Sequence, residues 1–175
     1  MFVPPGMVRA ETDTDIRSLV IGADEIEALA PRDGGFVLPG YGVRLIVPEQ
    51  WRDSVLLTEM HVTRETGVMV VYGLLFYPPD IEVTAVQYLG ALMVCDRELW
   101  RDDGTERMLK LATTDDCVFV FLNSLFSLYD GLPETARFEE LALSDDMAAA
   151  ALKIESLKLT GVTCQYGGPG KLYRN

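Results

Sequence analysis

The sequence lacks the residue types on which most catalytic and metal sites depend. It holds one histidine, His61, in 175 residues, and its three cysteines form no CxxC pair. Zinc sites and catalytic triads usually take histidine or paired cysteine side chains, so these counts argue against a metal site and against Ser–His–Asp or Cys–His catalysis. The isolated Cys95, Cys117 and Cys164 are typical of buried free thiols in a reducing compartment. We therefore expect no catalytic residue, no metal and no cofactor.

Long apolar runs and basic segments are also missing. The longest apolar stretch, GVMVVYGLLFYPP at 67–79, is too short to cross a bilayer, and the opening MFVPPGMV is unlike a secretory signal. The net charge of −12 and the pI of about 4.4 oppose binding to nucleic acid or to anionic membranes. We expect an acidic, soluble, cytoplasmic protein. A basic partner and a surface kept acidic for solubility both stay open.

Short motifs give no sign of an enzyme. The glycine-rich stretches at 33–35 and 166–170 match neither the phosphate-binding loop nor the dinucleotide fingerprint. Neighbouring acids recur along the chain, but pairs such as Asp115–Asp116 and Asp145–Asp146 stand where turns or first helical turns are predicted. Acids in such positions usually cap helices and form turns. The expected function is therefore non-enzymatic.

The first half of the chain predicts one helix followed by three strands. We expect a flexible N-terminal tail at 1–12, a single α+β domain at 13–160 and a Gly-rich C-terminal arm at 161–175. The segment 13–31 predicts the first helix, although Gly22 interrupts it. Strand patterns follow in GGFVLPGYGVRLIVPEQ, SVLLTEMHVTRE and GVMVVYGLLFYP.

The apolar period changes after Pro78 and Pro79. In the segment 80–100, apolar residues recur at i, i+4, i+8, i+11 and i+12, which predicts a helix: Ile81, Ala85, Leu89, Leu92 and Met93. Two strands are predicted next, in ERMLKLAT and CVFVFLNSLF, and Ser144 is predicted to cap a closing helix. The predicted fold class is α+β, an antiparallel sheet with segregated helices in the order helix, three strands, helix, two strands, helix.

The strand CVFVFLNSLF is apolar on both faces, which a one-sided sheet does not need. Val118, Val120 and Leu122 point one way, whereas Cys117, Phe119 and Phe121 point the other way. Burial of each large side chain contributes about 1.5–3 kcal/mol before the opposing entropy costs. Either a second copy or helices of the same chain should cover the second face.

The predicted element order, acidic pI and small size resemble the class I type III secretion chaperones, the CesT/SycE-like family. The matching stretch runs from Asp15 to Leu159. The resemblance implies a cytosolic homodimer that holds an extended segment of a secreted effector protein. It also implies partner-binding residues, Val43, Leu45, Leu57, Val70 and Tyr72, and dimer-interface residues, Ala85, Leu89, Val118, Val120 and Leu122. Ordinary core positions are the alternative for the partner-binding set.

A second, shorter resemblance concerns another class. TDTDIR at 12–17 and LPGYGVRL at 38–45 look like two stretches of the dCTP deaminase and dUTPase family, and 85–94 is similar to a late strand of that family. This resemblance implies a nucleotide-binding trimer. Gly42 departs from the pattern because the family carries an aspartate there, and TRETG at 63–67 matches its arginine–serine run poorly. An acidic immunity or adaptor protein with one basic partner is a third hypothesis.

Overall fold

Strands dominate the structure, a computed structural model that describes residues 16–21, 24–38, 40–60, 67–101, 108–123 and 132–157. The described strands are β1 Ile16–Ile21, β2 Asp24–Leu29, β3 Gly35–Leu38, β4 Val43–Ile46, β5 Val55–Met60, β6 Val68–Phe76, β7 Tyr88–Asp96, β8 Met108–Thr113, β9 Cys117–Asn123 and β10 Lys153–Ser156. Two α-helices, α1 Thr135–Leu141 and α2 Asp145–Ala151, and a 3-10 helix, Glu49–Trp51, complete the described elements.

Seven of these strands form one antiparallel sheet in the order β1-β2-β5-β6-β7-β9-β8. The other three form a second sheet in the order β10-β4-β3. The main core lies between the two sheets: Phe36 and Leu45 from the small sheet pack with Leu74 and Phe119 from the large one. We call the face of the large sheet that looks into this core the inner face, and the opposite face the outer face.

Helix α1 and the adjoining segments close the main core from the inner side. Phe138 of α1 packs edge-on against Phe76, with ring centroids 5.4 Å apart. The buried indole Nε1–H of Trp51 donates to the carbonyl of Leu141 at 2.7 Å. At the end of β9, the side-chain amide of Asn123 donates to the carbonyl of Leu143 at 2.7 Å. The described helices are therefore fixed to the inner side of the large sheet.

The predicted α+β class is wrong, and its first helix is one of the errors. The predicted helix at 13–31 is the hairpin of β1 and β2 over the residues that the structure describes. Isoleucine and valine make up half of β1, and such β-branched residues favour strands. Tertiary pairing also decides here, because Leu29 of β2 pairs with Leu57 of β5.

The predicted middle helix is wrong for a second physical reason. Residues 80–87 form no helix, and β7 follows as a central strand between β6 and β9. A bulge at Leu89 shifts the register against β6, so Leu89 and Leu92 both reach the main core. Strands normally separate side chains three positions apart onto opposite faces. The bulge thus produced the i, i+3 spacing that resembles a helical face.

The prediction of the closing helix is correct for the residue at which the helix begins and wrong for its length. Ser144 caps α2, accepting a hydrogen bond from the backbone N–H of Met147 at 3.3 Å, with Asp145 and Asp146 in the first turn. The helix ends at Ala151, and β10 begins at Lys153 and pairs with β4. Helix α1 was not predicted.

Five strand predictions are confirmed at least in part. The three early strand patterns contain β3 with β4, β5, and β6, and the late pair contains β8 and β9. The first pattern is split, because β3 and β4 form a hairpin of the small sheet. The tail at 1–12 and the arm at 161–175 lie outside the described residues, and the single-domain assignment stays a prediction.

Candidate protein-binding face

The five side chains predicted to bind a partner all lie in the main core. Tyr72 is the most polar of them and is 2% exposed. The other four are Val43, Leu45, Leu57 and Val70. In this structure they pack against other side chains of the same chain, which is the alternative that the sequence left open. A contact between any of them and a partner stays a prediction.

Three of the five residues predicted at a dimer interface share the outer face, and the other two lie elsewhere. Val118 and Val120 lie on the outer face with Cys95, Met93 and Trp100 around them. Leu122 is on the same face and partly exposed, whereas Leu89 lies in the main core and Ala85 precedes β7. The predicted division of β9 into two apolar faces is confirmed. Both faces are largely covered, since Val120 and Phe119 are each 0% exposed.

Two apolar clusters lie on the outer face, one toward each side of the large sheet. Ala28, Ala30, Leu56 and Leu75 form the first, with Tyr77 and Tyr88 packed against it. A second group forms around Cys95, Val118 and Val120. Between these clusters and along their borders, on strands β5, β6, β7 and β9, lies a set of partly exposed apolar side chains. We call this set the outer-face patch: Met60, Val71, Tyr88, Ala91, Met93 and Leu122.

Strand register places the patch residues beside one another. Met60 pairs with Val71, Val71 with Met93, and Ala91 with Leu122, so each pair shares the outer face. Met60 is 38% exposed and stands among the most exposed large apolar side chains of the described residues. The patch therefore extends without interruption over four neighbouring strands.

A glycine makes room for an aromatic ring within the patch. The ring of Tyr88 lies across Gly73, where an added Cβ would come within 2.5 Å of a ring carbon and 3.0 Å of the Met60 sulfur. Partial burial raises the pKa of Tyr88 above its usual value. The missing side chain at Gly73 leaves room for the Tyr88 ring and the Met60 sulfur close to the backbone of β6.

Charge is nearly excluded from this surface. The chain carries 27 acidic and 15 basic side chains, yet no charged residue belongs to the patch. One charged neighbour that strand register places on the same face is Lys110, which is exposed and pairs with Val120 at the β8 edge. An apolar, carboxylate-free area on a strongly acidic protein can contact another apolar surface without burying unpaired charge.

Glu134 is the buried charged side chain among the described residues. Its Oε1 accepts hydrogen bonds from the Thr84 hydroxyl at 2.6 Å and from the Thr84 backbone N–H at 2.9 Å. The hydrogen bond from the Thr84 side chain lowers the pKa of Glu134, and burial is the smaller, opposing effect. Oε2 is buried without a hydrogen-bond partner. The carboxylate thus ties the segment before β7 to the start of α1.

The two described cysteines are poor nucleophiles. Cys95 lies in the outer-face cluster and Cys117 in the main core, and neither forms a disulfide. Burial raises the pKa of each thiol to about 11. At neutral pH both side chains are therefore almost entirely protonated. The thiolate is the reactive form of cysteine, so both thiols react slowly. They fill space on the two faces of the large sheet.

The described residues hold neither a cluster of metal ligands nor a helix that could span a membrane. Within the described ranges, no three His, Cys, Asp or Glu side chains cluster as metal ligands would. No helix in that part of the chain is long and apolar enough to span a membrane. His61 and most of the TRETG and TDTDIR stretches lie outside the described residues.

Comparisons with family models, with curated proteins and with solved structures found no match for this chain. The resemblance to secretion chaperones depended on an element order that the fold corrects. The resemblance to the dUTPase family implied a strand at 85–94, and β7 does occupy Tyr88–Asp96. The nucleotide-binding trimer stays a prediction.

The patch residues were not recognised from the sequence as a group. Met93 and Ala91 were assigned to a helix, so their alignment with Val71 and Leu122 on neighbouring strands could not be foreseen. The available signal was the apolar character of both faces in β6 and β9. It predicted a covered second face, but not which positions stay partly open.

Proposed function

We propose that this chain is a non-enzymatic protein that binds a segment of another protein on the outer face of its large sheet. The observation that carries the proposal is the outer-face patch, which is apolar, partly exposed and free of charge on a chain of net charge −12. Methionine suits such a surface because its flexible side chain adapts to different partners. Binding would replace water over Met60, Val71 and Met93.

The six residues of the patch form an area that a single segment can cover. With strands about 4.8 Å apart and residues about 3.3 Å apart along a strand, the patch measures about 14 by 13 Å. A stable dimer usually buries about 800 Å² on each partner, several times this area. A helix is about 10–12 Å wide, so one helix across the strands would cover the patch.

Capture of a protein segment is the part of the secretion-chaperone hypothesis that the proposed function retains, and it does not require a particular secretion system. A cytoplasmic location, an effector partner and a homodimer remain predictions. The proposed mechanism is stoichiometric: an apolar segment that would otherwise be exposed to water lies on the patch, and no bond is made or broken. Each large side chain that is fully buried in the complex would contribute about 1.5–3 kcal/mol before association costs.

Calorimetric titration with a neutral probe tests the proposal. The probe is a 14-residue amphipathic helical peptide with leucine on one face and glutamine elsewhere. We expect it to bind the natural chain and to bind a Met60→Gln/Met93→Gln variant at least about tenfold more weakly, because two apolar contacts become polar. Met147→Gln is the matched control, since Met147 is 51% exposed on α2 and lies outside the patch. Equal binding to all three proteins would refute the proposal.

A further inference from the structure

We propose that β1 of one copy pairs with β1 of a second copy, so that two of these chains share one continuous antiparallel sheet. This inference goes beyond the proposed function and does not depend on the outer-face patch. Four strands of the large sheet separate β1 from β9, around which the sequence predicted a dimer interface. The proposed interface is therefore at the other side of the molecule.

β1 is the least protected edge strand in the described part of the chain. The strands that stand at sheet edges there are β1, β3, β8 and β10. β3 and β10 span four residues each, and β8 carries the exposed Lys110, a register shift and β10 close beside it. Short strands, lysine and irregular register are devices that block pairing at an edge. β1 spans six residues with Arg17 as its one charge, and it pairs with β2 at all six positions without a shift.

The register of the hairpin indicates which backbone groups of β1 face the open edge. Ile21 pairs with Asp24, so two residues form the turn, and residues that flank such a turn are hydrogen-bonded to each other. Hydrogen-bonded pairs alternate along antiparallel strands, so the N–H and C=O groups of Leu19 also face β2. Those of Ser18 and Val20 face the other way, where no described strand pairs with β1. A strand added at this edge would satisfy them.

Leu19 makes this edge complementary to itself. A two-fold axis beside Leu19 places it opposite Leu19 of the second copy, as a non-hydrogen-bonded pair, and places Ser18 opposite Val20. Leu19 pairs with Ile26 within the chain, and both are partly buried against the first apolar cluster of the outer face. The second copy would extend this apolar row through both leucines to its own Ile26. Symmetry thus supplies the apolar residue that Leu19 lacks on its open side.

The acidic charge of the chain does not oppose this contact at close range. Each copy has a net charge of −12, so a dimer interface has to keep carboxylates apart. The acids nearest to the proposed axis are Glu25 and Glu27 on β2, opposite Val20 and Ser18. Three strand spacings, about 14 Å in total, would separate β2 of one copy from β2 of the other. That distance exceeds the screening length of about 8 Å at physiological salt.

Light scattering at about 0.15 M salt tests the pairing. We expect the mass to rise with protein concentration from 19.4 kDa toward twice that value, because two paired strands bury less than the roughly 800 Å² per partner of a stable dimer. Leu19→Lys should weaken association at least about tenfold, since like charges would stand directly opposite. Val86→Lys adds the same charge at an exposed valine before β7 and should leave association unchanged. Circular dichroism checks that both variants fold.

Disulfide cross-linking tests the position of the axis in a Cys164→Ser background, where the remaining natural thiols, Cys95 and Cys117, are buried. We expect Leu19→Cys to form a cross-linked dimer on oxidation, because the Cα atoms of a non-hydrogen-bonded pair lie about 4.5 Å apart. Arg17→Cys is the matched control on the same strand. Its two copies would be offset by four residues, about 13 Å, which is too far for a disulfide.

The outcomes decide the inference without deciding the proposed function. A mass that stays at 19.4 kDa up to about 0.5 mM, or a dimer that Leu19→Lys leaves intact, would refute the pairing through β1. Cross-linking of Arg17→Cys without cross-linking of Leu19→Cys would refute the proposed axis. A dimer that dissociates on Met60→Gln/Met93→Gln would place the second copy on the outer-face patch and would overturn the inference.

Discussion

Phe121 and Leu122 are neighbours in β9, and they meet very different surroundings. Phe121 points inward, is 1% exposed and lies against Gly90 of the adjacent strand. Leu122 points outward, pairs with Ala91 and stays partly exposed. The same alternation that buries one residue leaves the next available to a partner. The comparison of the inner and outer faces thus separates positions that hold the fold together from positions that can bind.

The largest expected effect is on the inner face. Phe121→Ala should lower the free energy of unfolding by about 3–5 kcal/mol, because it removes a buried ring and leaves a cavity. Leu122→Ala, one position along, should cost markedly less, since its side chain is already partly in water. Urea unfolding followed by circular dichroism measures both. Similar losses for the two variants would contradict the distinction between the faces.

Two glycines, Gly90 and Gly73, allow the same comparison of the inner and outer faces, with a smaller expected loss of stability. An added Cβ at Gly90 would lie 2.5 Å from the Phe121 ring and 2.9 Å from the backbone oxygen of Leu122. We expect Gly90→Ala to destabilise the chain by about 1–3 kcal/mol through overpacking. Gly73→Ala also meets a ring, Tyr88, but that ring lies at the partly open surface and can move aside. Gly73→Ala should therefore lower the free energy of unfolding less than Gly90→Ala does. Thermal unfolding of both variants would show which one is less stable.

The two faces also predict how thiols react. Cys95 on the outer face and Cys117 on the inner face are both buried, with pKa values raised to about 11 by burial. In a Cys164→Ser variant, which leaves only these two, a thiol reagent at pH 8 should react slowly with the native chain and rapidly after unfolding in urea. Rapid reaction of one thiol in the native chain would mean that its face is more open than described.

The smallest effect concerns the tie between Glu134 and Thr84. Hydrogen bonds lower the pKa of Glu134, so its contribution to stability is present above the pKa of the unfolded chain and is lost as pH falls through the lower, folded pKa. Relative to Glu134→Gln, the natural chain should therefore lose stability between pH 5 and pH 3, around the ordinary glutamate pKa of about 4.3. Unfolding free energies of both proteins across this range test it. A pH-independent difference would contradict the assigned hydrogen bonds.

Local patterns predicted several strands and one helix start, and tertiary effects account for the failures. Ser144 followed by two aspartates specifies an N-cap by local chemistry, and the cap was predicted correctly. The segment around Leu89 and Leu92 could not be assigned by periodicity, because a strand buried on both faces loses its alternation and a bulge added helical spacing. The β1–β2 hairpin was missed because its pairing with β5 is a long-range contact.

The candidate site was harder to predict than the fold for the same reason. Met60, Val71 and Met93 come from three strands, and only their register against one another places them in one row. The sequence showed that β9 is apolar on both faces. It could not show that Val120 is covered while Met60, on the same face, is 38% exposed.

One measurement tests the central claim, that the outer face binds a partner segment while the inner face is closed core. The methionine methyl groups can be labelled with carbon-13 and followed by nuclear magnetic resonance during titration with the neutral leucine/glutamine peptide. Met60 and Met93 lie in the patch, Met69 packs against the main core, and Met147 is exposed on α2. We predict shifts for Met60 and Met93, with Met69 and Met147 unchanged. Shifts at Met147 alone, or none at the patch on binding, would contradict the account.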